Sequence, residues 1–169
     1  MTTRRILVAC VGNIFLGDDG FGVEVARQLA SRPMPDGVTV KDIGIRGVHL
    51  AYELLDGCDL LILVDAAARG EAPGTVTVVE VKQGDNGPGP TVIDAHGLAP
   101  DDVFALLDRM GSRPARTLVV ACEPADLTPG MDLSAPVRAA VPHAVRTVEE
   151  ILRRESESQT AGQKEWSGC

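Results

Sequence analysis

Short, unbroken apolar runs alternate with stretches of helical periodicity along most of this chain. Ile6–Val11 carries no polar alternation, and Asp59–Val64 has five apolar residues in a row after its aspartate. Both patterns predict strands buried on two faces, as in a parallel sheet. Thr117–Cys122 reads the same way, and Val38–Ile43 predicts a further strand. Thr75–Lys82 places valines on both parities, which predicts an edge strand. Between the first two strands, Phe21, Val25 and Leu29 share one helical stripe, with Ala26 and Ala30 beside it. Asp18 and Asp19 stand at its start, where a carboxylate can cap free N–H groups and meet the positive end of the dipole. Val48–Leu55 predicts a short helix closed by Gly57. Gly84–Pro90 can only be a loop, and Pro100–Met110 has the proline, acidic first turn and apolar spacing of a helix. Ser134 is placed to cap a last helix whose Val137, Val141, Ala144 and Val148 face inward. Pro142 should kink that helix or delay its regular start. From Ser156 to Cys169 the chain is polar and patternless, which predicts disorder.

Alternating strands and helices predict an α/β fold, a single-domain three-layer sandwich whose mostly parallel, twisted sheet is covered by helices on both faces. Residues 1–154 would form the domain and residues 155–169 the polar tail. Ligands of such sheets bind beyond the carboxyl ends of the strands, near the switch in strand order. The polar residues that follow strands are Asp19, Asp65 and, beyond the glycine-rich loop, His96 in Asp94-Ala95-His96-Gly97. With the first and third strands as neighbours, Asp19 and Asp65 share one crevice that His96 can reach. Two carboxylates and an imidazole form an oxygen/nitrogen donor set, which suits nickel, zinc, iron or manganese better than copper(I) or a cluster. Each residue also has a plain structural reading: a helix cap for Asp18 or Asp19, a loop hydrogen-bonder for Asp65, a turn residue for His96. Their agreement at strand ends is what makes them a candidate site. His49 and His143 read as structural.

Composition narrows the function. The formal net charge is −8 and no basic run is present, so a nucleic-acid partner is disfavoured. Aromatics make up only 3 % of the chain, leaving the core to Val, Leu, Ile and Ala. Cys10, Cys58, Cys122 and Cys169 are widely spaced with no C-x-x-C pair, which predicts reduced thiols in a cytosolic protein. No apolar run approaches the roughly 18 residues of a membrane span, so no membrane partner is expected. The glycines from Gly12 to Gly22 do not form G-x-G-x-x-G, and two carboxylates at the helix start would repel an anion, so no nucleotide is expected. A response-regulator receiver also gathers strand-end aspartates. Here, however, a loop separates the acidic pair from the first strand, and Cys122-Glu123-Pro124 stands where a receiver presents a lysine.

The segment from Gly12 through Asn13-Ile14-Phe15-Leu16-Gly17-Asp18-Asp19-Gly20-Phe21 to Gly22 closely resembles the opening motif of the hydrogenase maturation proteases. The likeness continues through Asp42-x-Gly44, Asp65-Ala66, Ala72-Pro73-Gly74-Thr75, His96-Gly97-Leu98 and Glu123-Pro124, and spans about Ile6 to Leu152. The resemblance implies a mostly parallel α/β sandwich and an endopeptidase that removes the C-terminal extension of a nickel–iron hydrogenase large-subunit precursor after nickel insertion. It also implies that Asp19, Asp65 and His96 hold the nickel, an ion presented by the precursor rather than kept by the enzyme. Some members carry glutamate where this chain has Asp19, and Asp42 matches another recurrent acidic position. The resemblance further makes Asp19 and Asp65 the candidate catalytic residues of an aspartic-type endopeptidase; no serine or cysteine has a convincing base partner, and the sequence does not say which group serves as base or nucleophile. A non-proteolytic nickel-binding chaperone for hydrogenase assembly, using the same three ligands, is the alternative.

Overall fold

The computed structural model describes residues 3–45, 47–81 and 114–164. In chain order the elements are β1 (Ile6–Val11), a 3-10 turn (Gly17–Gly20), α1 (Phe21–Ala30), β2 (Val38–Gly44), α2 (Gly47–Leu54), β3 (Leu60–Ala66), β4 (Val76–Val81), β5 (Arg116–Cys122) and α3 (Ala135–Lys164). The strands form one sheet in the order β2-β1-β3-β5-β4. All neighbours run parallel except β4, which pairs antiparallel with β5. The Gly84–Pro90 loop, His96 and the Pro100–Met110 helix lie outside the described residues.

The unbroken apolar runs follow from burial on both faces of this sheet. Ile6, Val8 and Cys10 of β1, Leu60, Ile62 and Val64 of β3, and Leu118, Val120 and Cys122 of β5 pack with α1 and α3. The alternate residues Leu7, Ala9, Leu61, Leu63, Val119 and Ala121 pack with Leu50, Ala51 and Leu54 of α2. The result is the three-layer sandwich. Val76 of β4 packs on the first side and Val81 on the second, while Val78 and Glu80 are exposed, as befits an edge.

The last helix departs from expectation in three ways. It continues to Lys164, through nine of the residues from Ser156 onward that were expected to be disordered. No apolar stripe announces that stretch. Its helicity is sustained by local polar contacts, Arg154 with Glu150 and Arg153 with Glu157, each at 2.6 Å, and by propagation from the packed turns before it. Glu155 also receives ion pairs from Arg4 and Arg116, tying this part of α3 to the starts of β1 and β5. Secondly, the Ser134 hydroxyl does not cap the helix; it donates to the Asp18 carboxylate. Thirdly, Pro142 does not delay the start of the helix, which runs unbroken from Ala135. The proline is exposed, and it deprives the Arg138 carbonyl of the amide that residue 142 would otherwise offer. Pro142→Ala is therefore expected to stabilise the fold by about 1–3 kcal/mol. Thermal unfolding checks this, and an unchanged Tm would show that the helix already accommodates the ring without cost.

Candidate functional site

Because β1 and β3 are parallel neighbours, the segments that follow them open on the same side of the sheet. The 3-10 turn carrying Asp18 and Asp19 is drawn tightly against the end of β1. A Cβ at Gly12 would lie 2.1 Å from the Asp19 carbonyl oxygen, so only glycine permits this approach. The Asn13 amide donates to Asp19 Oδ2 at 3.0 Å, and the Asn13 side chain in turn accepts from the Phe15 amide. Asp19 is half-buried, its carboxylate fixed by the loop it belongs to.

Asp65, the penultimate residue of β3 and in register with Ala121 of β5, is also half-buried. Burial, and next the nearby Asp19 carboxylate, hold its carboxyl well above the usual range, against the opposing pull of a hydrogen bond from the Ala66 amide. Two carboxylates that repel each other in a sheltered cleft have two ways to settle. One takes a proton, or a cation joins them. The pair thus fits both an acid/base role and two oxygen ligands for a divalent ion. Among the described residues, no group of three His, Cys, Asp or Glu side chains converges to hold a metal, and His96 lies outside them.

The neighbouring Asp18 plays another part. It has no exposed surface. Its oxygens accept from the Ala125 and Asp126 amides at 2.8 Å, from the Ser134 amide at 2.7 Å and from the Ser134 hydroxyl at 2.8 Å. Burial alone would raise its carboxyl, but those donors from Ser134, Asp126 and Ala125 outweigh it and hold the group below its ordinary value. Asp18 is therefore a staple from the 3-10 turn to the segment joining β5 and α3. Sequence reading placed both aspartates at the helix start and chose Asp19 for the site, but gave Asp18 no role beyond a possible helix cap. The donors to Asp18 lie over a hundred residues away and leave no local signal.

Two more acidic residues stand at or just after the ends of β2 and β5. Asp42 Oδ1 accepts from the Gly44 amide at 3.0 Å, closing a turn at the end of β2. Glu123 is buried, accepts from the Arg69 amide at 2.7 Å, and fixes the segment after β3. Sequence reading noted Glu123 only as part of a motif, not as this anchor. Burial, reinforced by Asp42, pushes the Cys10 thiol up to about 12, and burial with Asp18 and Glu123 does the same for Cys122. Neither is a thiolate nucleophile at neutral pH. His49 and His143 are exposed on α2 and α3.

A family model for hydrogenase maturation proteases matches residues 23–151. The hydrogenase expression/formation protein HupD of Rhizobium leguminosarum bv. viciae is 36 % identical over 151 residues, covering 88 % of this chain and 74 % of the relative. The hydrogenase 2 maturation protease of Escherichia coli K12 is 33 % identical over 155 residues, covering 88 % of this chain and 91 % of the relative. Among solved structures, the hydrogenase maturating endopeptidase HybD from E. coli superposes with a TM-score of 0.74 at 30 % identity, covering 89 % of this chain and 93 % of that one.

Proposed function

Since the chain belongs to the hydrogenase maturation protease family and is an endopeptidase of that kind, we propose that it removes the C-terminal extension of a nickel–iron hydrogenase large-subunit precursor and recognises the nickel that precursor carries. What supports nickel recognition most directly is the nearness of Asp19 and Asp65 beyond the carboxyl ends of β1 and β3, with Asp65 lifted first by burial and next by the charge of Asp19. A divalent ion brought by the substrate removes that repulsion. The enzyme is thereby incomplete until a metallated precursor docks, which makes insertion of the metal a condition for cleavage. His96 would add the nitrogen ligand. Held by these residues, such an ion would supply Lewis-acid polarisation of the scissile carbonyl, while the Asn13 amide and the close approach at Gly12 fix Asp19 in place. Asp19 and Asp65 are the groups proposed to exchange protons with the reacting peptide.

Intact mass spectrometry of a nickel-loaded precursor, before and after incubation, tests this reading. Loss of one discrete C-terminal peptide is expected with nickel present, and none with nickel-free precursor or with His96→Ala. An unchanged mass from a competent precursor would overturn the assignment of that substrate and leave standing a chaperone that binds nickel without cutting. Equal cleavage of nickel-free precursor would sink the metal-recognition part alone. No helix among the described residues is long and apolar enough to cross a membrane.

A further inference from the structure

Four large apolar side chains stand in solvent on two loops beside Asp19. Ile14 is 39 % exposed and Phe15 60 % on the loop after β1; Leu127 is 43 % exposed and Met131 68 % between β5 and α3. The two loops form one surface. Leu16 and Gly130 make a parallel bridge, the Gly17 amide donates to the Gly130 carbonyl at 2.8 Å, and the Gly130 amide donates to the Phe15 carbonyl at 2.9 Å. Gly17 has a φ of +56°, and a Cβ there would come within 2.6 Å of the Asp126 carbonyl oxygen, so glycine lets the loops close on each other. The Asp18 amide and carboxylate add further ties to Asp126. Much of the backbone hydrogen bonding of these loops is thus satisfied internally, while their apolar side chains point away from the core. That arrangement costs solvation and gains nothing for folding, the usual mark of a contact surface.

We infer that these joined loops form the docking platform for the precursor segment flanking the cleaved bond, a segment that carries apolar side chains next to lysine or arginine. The inference rests on the proposed endopeptidase reading and deepens it. Two observations choose this occupant. The platform is continuous with the candidate cleavage site, because Asn13, whose amide holds Asp19, directly precedes Ile14 and Phe15. Its charge is also of one sign: across residues 13–19 and 124–132 the charged residues with exposed surface are Asp19, Asp126 and Asp132, with no lysine or arginine. A basic, apolar segment complements both properties.

The test compares wild-type protein with the Phe15→Ser/Met131→Ser double variant and with Asp132→Lys, using steady-state processing of nickel-loaded precursor. Both variants change exposed side chains, so Tm is expected to stay within a degree or two of wild type. The double variant is expected to raise KM on the order of 10-fold with kcat unchanged, the signature of lost uniform binding. Asp132→Lys should raise KM less, and added salt should narrow its difference from wild type. A double variant with wild-type KM, while the wild type cleaves normally, would overturn the platform and leave the endopeptidase reading intact. No cleavage by the wild type would overturn both. Concentration-dependent dimerisation in ultracentrifugation, abolished by the double variant, would assign the surface to a second copy of the chain and likewise overturn the inference.

Discussion

Asp65→Asn is expected to give a protein that melts at a higher temperature than wild type and processes its precursor at least ~100-fold more slowly, the loss anticipated for removing a metal-binding or proton-transferring group. The stability half follows from the sign of the shift. The carboxyl of Asp65 is held above its ordinary value in the folded protein. Any stability this confers is full below the unfolded pKa of about 3.9 and is lost as pH rises through the folded value. At neutral pH the folded state therefore carries a burial and repulsion cost that asparagine removes. The Tm difference between variant and wild type should widen from pH 4 to pH 7. Paired calorimetry across that range, with the precursor assay, checks both halves. Equal melting at pH 7 would mean that Asp19 and Asp65 do not burden each other, and wild-type processing would remove Asp65 from the chemistry.

Asp18→Ala should do the opposite to stability. It strips one buried carboxylate from three backbone amides and a hydroxyl, leaving donors that water reaches poorly. The expected cost is about 3–5 kcal/mol, a fall in Tm of roughly 10 °C. Here the folded carboxyl lies below its ordinary value. Its contribution is present above the unfolded pKa and disappears as pH falls through the folded one. The gap between wild type and variant should accordingly close on acidification below about pH 4. A variant that melts with wild type at pH 7 would show that the staple is dispensable.

These two aspartates also show what the sequence could and could not reveal. β1, β3 and β5 were legible because burial on both faces leaves no room for polar residues, and their parallel pairing brings Asp19 and Asp65 to one side. The edge position of β4 was legible from its mixed faces. Local pattern could not show that Asp18 looks inward to Ser134 while Asp19 looks toward the cleft, since both occupy one short acidic turn. The extension of α3 past Ser156 was equally hidden, because ion pairs and backbone propagation, rather than an apolar stripe, sustain it. The motif resemblance supplied the family, and it reached Glu123 without its role as the partner of the Arg69 amide.

The position of β5 between β3 and β4 sets an order of events during synthesis. β4 is made first but has its only partner among the described strands in β5, and the stretch from Val81 to Arg116 separates them. At about 5–20 residues per second, β4 emerges from the ribosome and waits a few seconds with Val76, Val78, Val79 and Val81 unshielded. Antiparallel closure then comes late and across a long span, which slows folding. The hazard of aggregation is concentrated in that interval. Yield in a foreign host should consequently respond to slower translation or to chaperones more than to any gain in the stability of the finished protein.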